Sequence, residues 1–231
     1  MIMKKSITIL LSGLLTLSAA SVFAQAGLTY YTAYDSKGQV MGKSEYVDVQ
    51  GTPYLSSEWL TGTFSLANGK SYSDLNIRYD LVKDKMYVKG GEDDLIALAE
   101  QVKDFTIDFP VSGAVLKRHF KMGYTNIPNT TNSYYFEVLA EGKTQLLKRT
   151  SKIVQVSKEY NSATSTKSFE EITKYYLYAD GKGSAVKKDK KAILLALGNK
   201  QAELESYIKD SKLNLKTDEG FAQLITFYNT L

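Results

Sequence analysis

The sequence predicts a mainly β or α+β protein: an antiparallel, curved β-meander of about eight to ten strands over residues 25–186, then a small helical tail at 187–231 packed on it. Three observations carry this expectation. Runs in which every second residue is apolar recur between residues 61 and 178, short glycine-containing turns separate them, and the apolar period becomes helical after about Val186. Seventeen Tyr and nine Phe against three Pro also favour a strand-rich body over disorder.

Residues 1–24 have the form of an export signal. Lys4 and Lys5 precede an uncharged run from Ile7 to Leu17, and Val22-Phe23-Ala24 offers small residues at the recognition positions before Gln25. The apolar run is too short to span a bilayer, and no second stretch of about 18 apolar residues follows it. The expected mature chain is therefore a periplasmic or secreted protein with no membrane span. Residue 25 is Gln rather than Cys, so lipid attachment after cleavage is excluded.

Within the body, Lys37-Gly38, Asn68-Gly69-Lys70, Glu141-Gly142-Lys143 and Asp180-Gly181-Lys182 read as hairpin turns between antiparallel neighbours. The clearest strand places Leu75, Ile77, Tyr79 and Leu81 on one face and Asn76, Arg78 and Asp80 on the other. Phe105, Ile107 and Phe109 alternate likewise, as do Phe120, Met122 and Tyr124. Further strands are expected at 61–66, 85–89, 134–139, 145–156 and 173–178. Leu95, Leu98, Ala99 and Val102 lie at helical spacing, which predicts one short helix between Asp94 and Val102. The polar stretches 126–133 and 161–167 read as exposed loops.

The tail divides into three short amphipathic helices. Asp189 is placed to cap the first, which carries Ile193, Ala196 and Leu197 and ends at Gly198; Asn199 is placed to cap the second, with Leu204, Tyr207 and Ile208. Thr217 caps the third, with Asp218 and Glu219 in its positive first turn and Phe221, Leu224, Ile225 and Tyr228 along one stripe. Helices this short need a partner surface, so the stripe should be buried.

Composition narrows the chemistry. With no cysteine, disulfide scaffolds, thiol catalysis and thiolate metal sites are excluded. Without the leader, 27 basic residues face 25 acidic ones, and the one dense basic cluster, Lys187-Lys188-Asp189-Lys190-Lys191, reads as a solvated charge run at a helix start. A nucleic-acid partner is not expected. His119 is the single histidine, so His-His metal spacings are excluded, and alternation sets it on the wet face with Lys121. There is no phosphate-binding glycine loop and no Gly-x-Ser-x-Gly elbow, and no cofactor is expected. Asp93-Asp94, Asp104 with Asp108, and Glu170-Glu171 remain as carboxylate pairs of the kind a glycoside hydrolase uses.

Aromatic pairs give the functional expectation. Tyr30-Tyr31-x-x-Tyr34, Tyr134-Tyr135-Phe136 and Tyr175-Tyr176-x-Tyr178 put neighbouring rings on opposite faces of their strands, so some should lie outside the core unless both faces are covered. Exposed tyrosine on a rigid sheet suits contact with sugars or proteins, which makes Tyr134, Tyr135, Tyr175 and Tyr176 the candidate ligand-binding residues.

The segment Gly51-Thr-Pro-Tyr-Leu-Ser-Ser-Glu-Trp-Leu-Thr-Gly-Thr-Phe, continuing through Asn68-Gly-Lys to Tyr79, together with Leu213-Asn-Leu-Lys and the ending Tyr228-Asn-Thr-Leu, resembles a group of exported proteins of unknown function in Gram-negative bacteria. The resemblance implies export, a β-rich body and a Lys-rich helical C-terminus, and its motifs carry no catalytic residues across. The expected role is a non-enzymatic envelope or secreted binding protein whose partner is an envelope protein, a glycan or an apolar ligand. Two rivals stand beside it. One is a periplasmic carrier enclosing a lipid-like ligand within a curved sheet; the other is a carbohydrate hydrolase using two carboxylates.

Overall fold

A computed structural model describes residues 46, 48–91, 95–158, 164–198 and 200–231, together with the backbone of 30–32. The leader, the Lys37-Gly38 turn, Tyr34, Asp93-Asp94 and Asn199 lie outside the described residues. Twelve strands run β1 (Tyr30–Thr32), β2 (Val49–Gln50), β3 (Leu60–Leu66), β4 (Ser71–Asp80), β5 (Lys85–Lys89), β6 (Leu95–Leu98), β7 (Val102–Val111), β8 (Ala114–Lys121), β9 (Phe136–Ala140), β10 (Thr144–Lys158), β11 (Ser165–Ala179) and β12 (Lys182–Val186). Three helices follow: α1 (Lys190–Leu197), α2 (Gln201–Asp210) and α3 (Asp218–Tyr228).

All twelve strands belong to one open sheet, ordered β1-β6-β5-β4-β3-β7-β8-β9-β10-β11-β12, with β2 beside β11. Every pairing is antiparallel except the short parallel one between β2 and β11. The β-rich body with its helical tail is thus present, with more strands than the sequence suggested. One element is corrected: residues 95–98 form a strand between β1 and β5, not a helix. Leu95, Ala97 and Leu98 are all buried, and a continuously apolar run of four fits a covered strand as well as it fits one helical turn.

The sheet is strongly curved over its first half. Tyr79 on β4 and Phe120 on β8 are three strand spacings apart in sheet order, roughly 14 Å on a flat surface, yet their ring centroids lie 5.3 Å apart. The curl continues until the end of β4 reaches β10, where the Lys152 amide donates to the Leu81 carbonyl at 2.9 Å. Residues 52–55 close the remaining gap. Leu55 N–H donates to Tyr79 and Leu81 N–H to Pro53, while the Lys152 ammonium donates to the carbonyls of Thr52 and Tyr54. Inside the curl Phe64, Tyr79, Phe105, Phe120 and Tyr135 form the centre of the core, and the rings of the last four contact one another with centroids 4.9–5.9 Å apart.

The second half of the sheet, β9–β12, is covered from outside instead. On one face Leu146, Leu177 and Val186 pack against α1–α3, where Ile193, Leu204, Phe221, Leu224 and Ile225 are fully buried. On the other face Phe136, Leu147 and Tyr176 meet Tyr124 and Ile127 from the loop after β8. That loop is otherwise largely exposed, in keeping with its polar composition.

The helix ends follow local chemistry. The Asp189 side chain accepts from Ala192 N and the Thr217 hydroxyl from Gly220 N, as capping residues should. The second helix has Lys200 at its N-cap, in a left-handed conformation and without a side-chain cap bond; the expected Asn199 cap lies outside the described residues. A Cβ on Gly220 would come within 2.1 Å of the Asn214 carbonyl; only glycine lets α3 start this close to the preceding loop. At the far end of α3, Asn229 accepts from Thr144 N and donates to the carbonyls of Glu141 and Thr144, fastening the tail to the β9–β10 hairpin.

Candidate functional site

The four candidate tyrosines do not form an exposed aromatic surface. Tyr135 and Tyr176 are only 7 % and 4 % exposed, which corrects the expectation for both. The Tyr135 ring enters the interior of the curl and its hydroxyl donates to Val102 O at 2.6 Å; burial raises its pKa. Tyr176 packs edge-on against Phe136 under the loop after β8. Alternation does send Tyr175 and Tyr176 to opposite faces, but both faces are covered. Tyr134 and Tyr175 are half-buried and engaged: the Arg149 guanidinium lies 3.9 Å from the centre of the Tyr134 ring, and the Tyr175 hydroxyl donates to Asp218 at 2.7 Å. The side chains of Tyr30 and Tyr31 are not among those described.

Two ionic clusters appear instead, one at each margin of the curl. The first surrounds Asp84, in the left-handed turn between β4 and β5. Its carboxylate accepts from the Tyr79 hydroxyl, receives Tyr135 N–H at 3.3 Å, and lies 3.6 Å from Arg149. Burial outweighs these partners and raises the Asp84 pKa, and burial beside Asp84 raises that of Tyr79 well above its usual value. A cleft of about 290 Å³ adjoins the cluster, bordered also by Met86, Glu100 and Met122.

The second cluster joins the sheet to α3. Arg118 on β8 grips Glu137 on β9 with two bonds of 2.7 and 2.6 Å, a bidentate pair shielded from water. Lys148 on β10 reaches Glu137 at 3.8 Å and Asp218 at 2.7 Å, and Lys188 donates to Asp218 and to the Tyr175 hydroxyl, each at 2.7 Å. Partial burial pushes the Asp218 pKa up, but hydrogen bonds from Lys148, Lys188 and Tyr175 overcome it and bring the carboxyl down to about 2. These bonds also raise the Lys188 pKa against its own desolvation.

A groove of about 390 Å³ opens over this cluster, with Leu116, Lys117, His119, Val138, Leu139 and Ala222 completing its wall. Its outer margin is the β7–β8 hairpin tip, where Val111, Val115 and Leu116 are 48 %, 59 % and 50 % exposed. The strand register explains why. Phe109 pairs with Leu116, and Val111 with Ala114, continuing the Phe105–Phe120 face past the point where the core covers it, while Val115, opposite Pro110, lies on the reverse face of the tip. This is the most concentrated exposed apolar patch next to a cavity among the described residues.

The carboxylate pairs fare poorly as catalytic sets. Asp104 and Asp108 sit four residues apart on β7, roughly 13 Å, wider than either glycosidase geometry. Asp108 is paired with Lys117 at 3.1 Å, and Asp104 lies 3.8 Å from His119 Nε2. Glu170 and Glu171 are exposed neighbours on β11 and so point to opposite faces. The described residues contain no group of three or more His, Asp or Glu arranged to hold a metal ion.

Sequence reasoning missed the Asp218 clamp. Lys188 was read as part of a solvated run and Asp218 as a helix-dipole residue, and nothing in local spacing brings Lys148, 70 residues earlier, to meet them. No helix among the described residues is long and apolar enough to cross a membrane. No family model matches the chain, and no curated protein or solved structure matches it either.

Proposed function

We propose that the chain is an exported, non-enzymatic binding protein of the envelope or extracellular space, and that its contact surface is the β7–β8 hairpin tip with the adjoining groove rather than the tyrosines. The observation that carries this reading is the exposed Val111, Val115 and Leu116 tip beside a cavity with fixed, mutually paired charges. Such a surface offers an exposed apolar anchor beside fixed charge, a feature that marks protein-interaction sites. The ionic groups around it are committed to each other, so they orient a partner rather than supply a free acid or base. The partner class that suits it is an envelope or extracellular protein presenting apolar side chains. Export is inferred from Lys4-Lys5, Ile7–Leu17 and Val22-Phe23-Ala24.

An array of envelope proteins and glycans tests the reading. Leu116→Asp should lower affinity for the captured ligand by more than about 1 kcal/mol and leave the melting temperature unchanged; an unaltered affinity would remove this surface from the proposal. Intact mass of the periplasmic or secreted product should place its N-terminus near Gln25, and a full-length product confined to the cytoplasm contradicts export.

A hydrolase reading keeps one specific support, that Asp84 and Glu100 border the same cleft. Both Asp84 oxygens face protein partners, which suits a structural carboxylate better. Glycoside turnover lost in both Asp84→Asn and Glu100→Gln would restore the hydrolase. The carrier reading loses its chamber, because the interior of the curl is filled by the aromatic core.

A further inference from the structure

The hairpin of β10 and β11 keeps unbroken register over fifteen residue pairs, from Thr144 opposite Ala179 to Lys158 opposite Ser165. Its far part extends beyond the cover of the body, and residues 153–158 and 164–167 are all exposed. There β11 is flanked by β2 at Lys167 and Ser168, whereas β10 has no such neighbour. Lys152 N–H donates away from β11, to Leu81, and this fixes the alternation: Val154, Val156 and Lys158 present their N–H and C=O groups on that same outer side. Among the described residues none pairs with those groups. Proteins usually blunt such an edge with a bulge, a proline or charged side chains, lysine above all, and of the three open residues here only Lys158 is charged. This one has an even register, no proline, and Val154 and Val156 exposed by 37 % and 54 %.

We propose that the edge is completed by the same edge of a second copy of this chain, β10 against β10, antiparallel about a two-fold axis at Val156. Self-complementarity selects the axis. Centred on Val156, the three open residues pair only among themselves, with Val156 facing its equivalent and Val154 facing Lys158 on either side. Centred on Gln155, Lys158 would instead face Lys152, a like charge whose amide is already bonded to Leu81. The Val156 register therefore satisfies three N–H and three C=O groups from each copy and sets no like charges opposite one another. It also joins two ribbons, each too thin to be stable alone, into one broader sheet. Val154 is cross-strand from Phe169, whose ring meets Tyr46 edge-on at 5.1 Å, so the apolar side of the ribbon continues across the joint.

Sedimentation of the full chain at micromolar concentration should give a dimer. Val156→Lys and Val156→Glu should each sediment as monomers with the parent melting temperature, and an equimolar mixture of the two should recover the dimer, because unlike charges then meet at the axis. A monomeric wild type overturns the proposal, as do variants that both remain dimeric. Failure of the two folded, monomeric variants to pair overturns the Val156 axis.

Discussion

The two halves of the sheet bury their apolar faces by different means. From β3 to β8 the sheet rolls over and encloses its own aromatic side chains; from β9 to β12 it stays open enough to need helices on one face and a loop on the other. The carboxylates at the two margins follow the same division. Asp84 is held inside the roll, where desolvation prevails and its pKa is raised. Asp218 stands at the entrance of a docked helix, with two lysines and a tyrosine hydroxyl directed at it, and its pKa is depressed. Two half-buried acids, each with three partners, thus have opposite effects on stability: desolvation prevails at Asp84, whereas the bonds from two ammonium groups and a hydroxyl prevail at Asp218.

The largest effect separating the halves should come from the tail. Leu224 is fully buried beneath the helices, and Leu224→Asp places a carboxylate in that contact, so a loss of about 3 kcal/mol or more is expected, since truncation alone in a core costs about 2–5. Thermal unfolding checks it. A melting temperature within about 2 °C of the parent would mean that the second half does not depend on its helices.

Next comes Asp218→Asn, which should cost about 2 kcal/mol at neutral pH, as a shift from 3.8 to about 2 implies. The sign is specific. Because the folded pKa is depressed, the contribution is fully present above pH 3.8 and disappears as pH falls through that value towards 2. Urea midpoints of parent and variant should therefore converge at the acid end; a constant gap would show that the loss comes from packing.

Asp84→Asn should have the smaller effect, about 1 kcal/mol at neutral pH: the amide oxygen can still accept from Tyr79, the desolvation cost of the carboxylate is relieved and Arg149 keeps its stack on Tyr134, which offset an NH2 now facing Tyr135 N–H. Here the folded pKa is raised, so the parent gains stability relative to the variant as pH falls through the folded-state value, opposite to Asp218. Parallel urea curves across the acid range would remove the contrast between the two acids. Of similar size is Tyr175→Phe, expected to cost about 1 kcal/mol through loss of the bond to Asp218 and of the one accepted from Lys188, and to narrow the pH dependence that Asp218 produces.

Legibility in the sequence followed how local each determinant is. The stripe at Phe221, Leu224 and Ile225, the caps at Asp189 and Thr217, and the turns at Asn68, Glu141 and Asp180 depend on residues a few positions apart, and the structure has them all. Strand 95–98 was misread because four apolar residues satisfy two periods at once. The tyrosines failed for a different reason. Tyr175 and Tyr176 alternate as expected, but the helices cover one face, and the loop carrying Tyr124 and Ile127 covers the other. No local pattern announces either cover, and the same holds for the clamp that gathers Arg118, Glu137, Lys148 and Asp218 from four elements and Lys188 from the linker before α1.

The bonds from Asn229 to the β9–β10 hairpin carry a consequence for the order of assembly. They span 85 to 88 residues. A chain delivered from its N-terminus can close the roll once Arg149 and Lys152 have emerged, since they supply the last contacts of its closure. The β9–β12 half must wait. Its helix-facing side stays uncovered until α3 and Asn229 arrive, so for that interval the nascent molecule is half native and half adhesive.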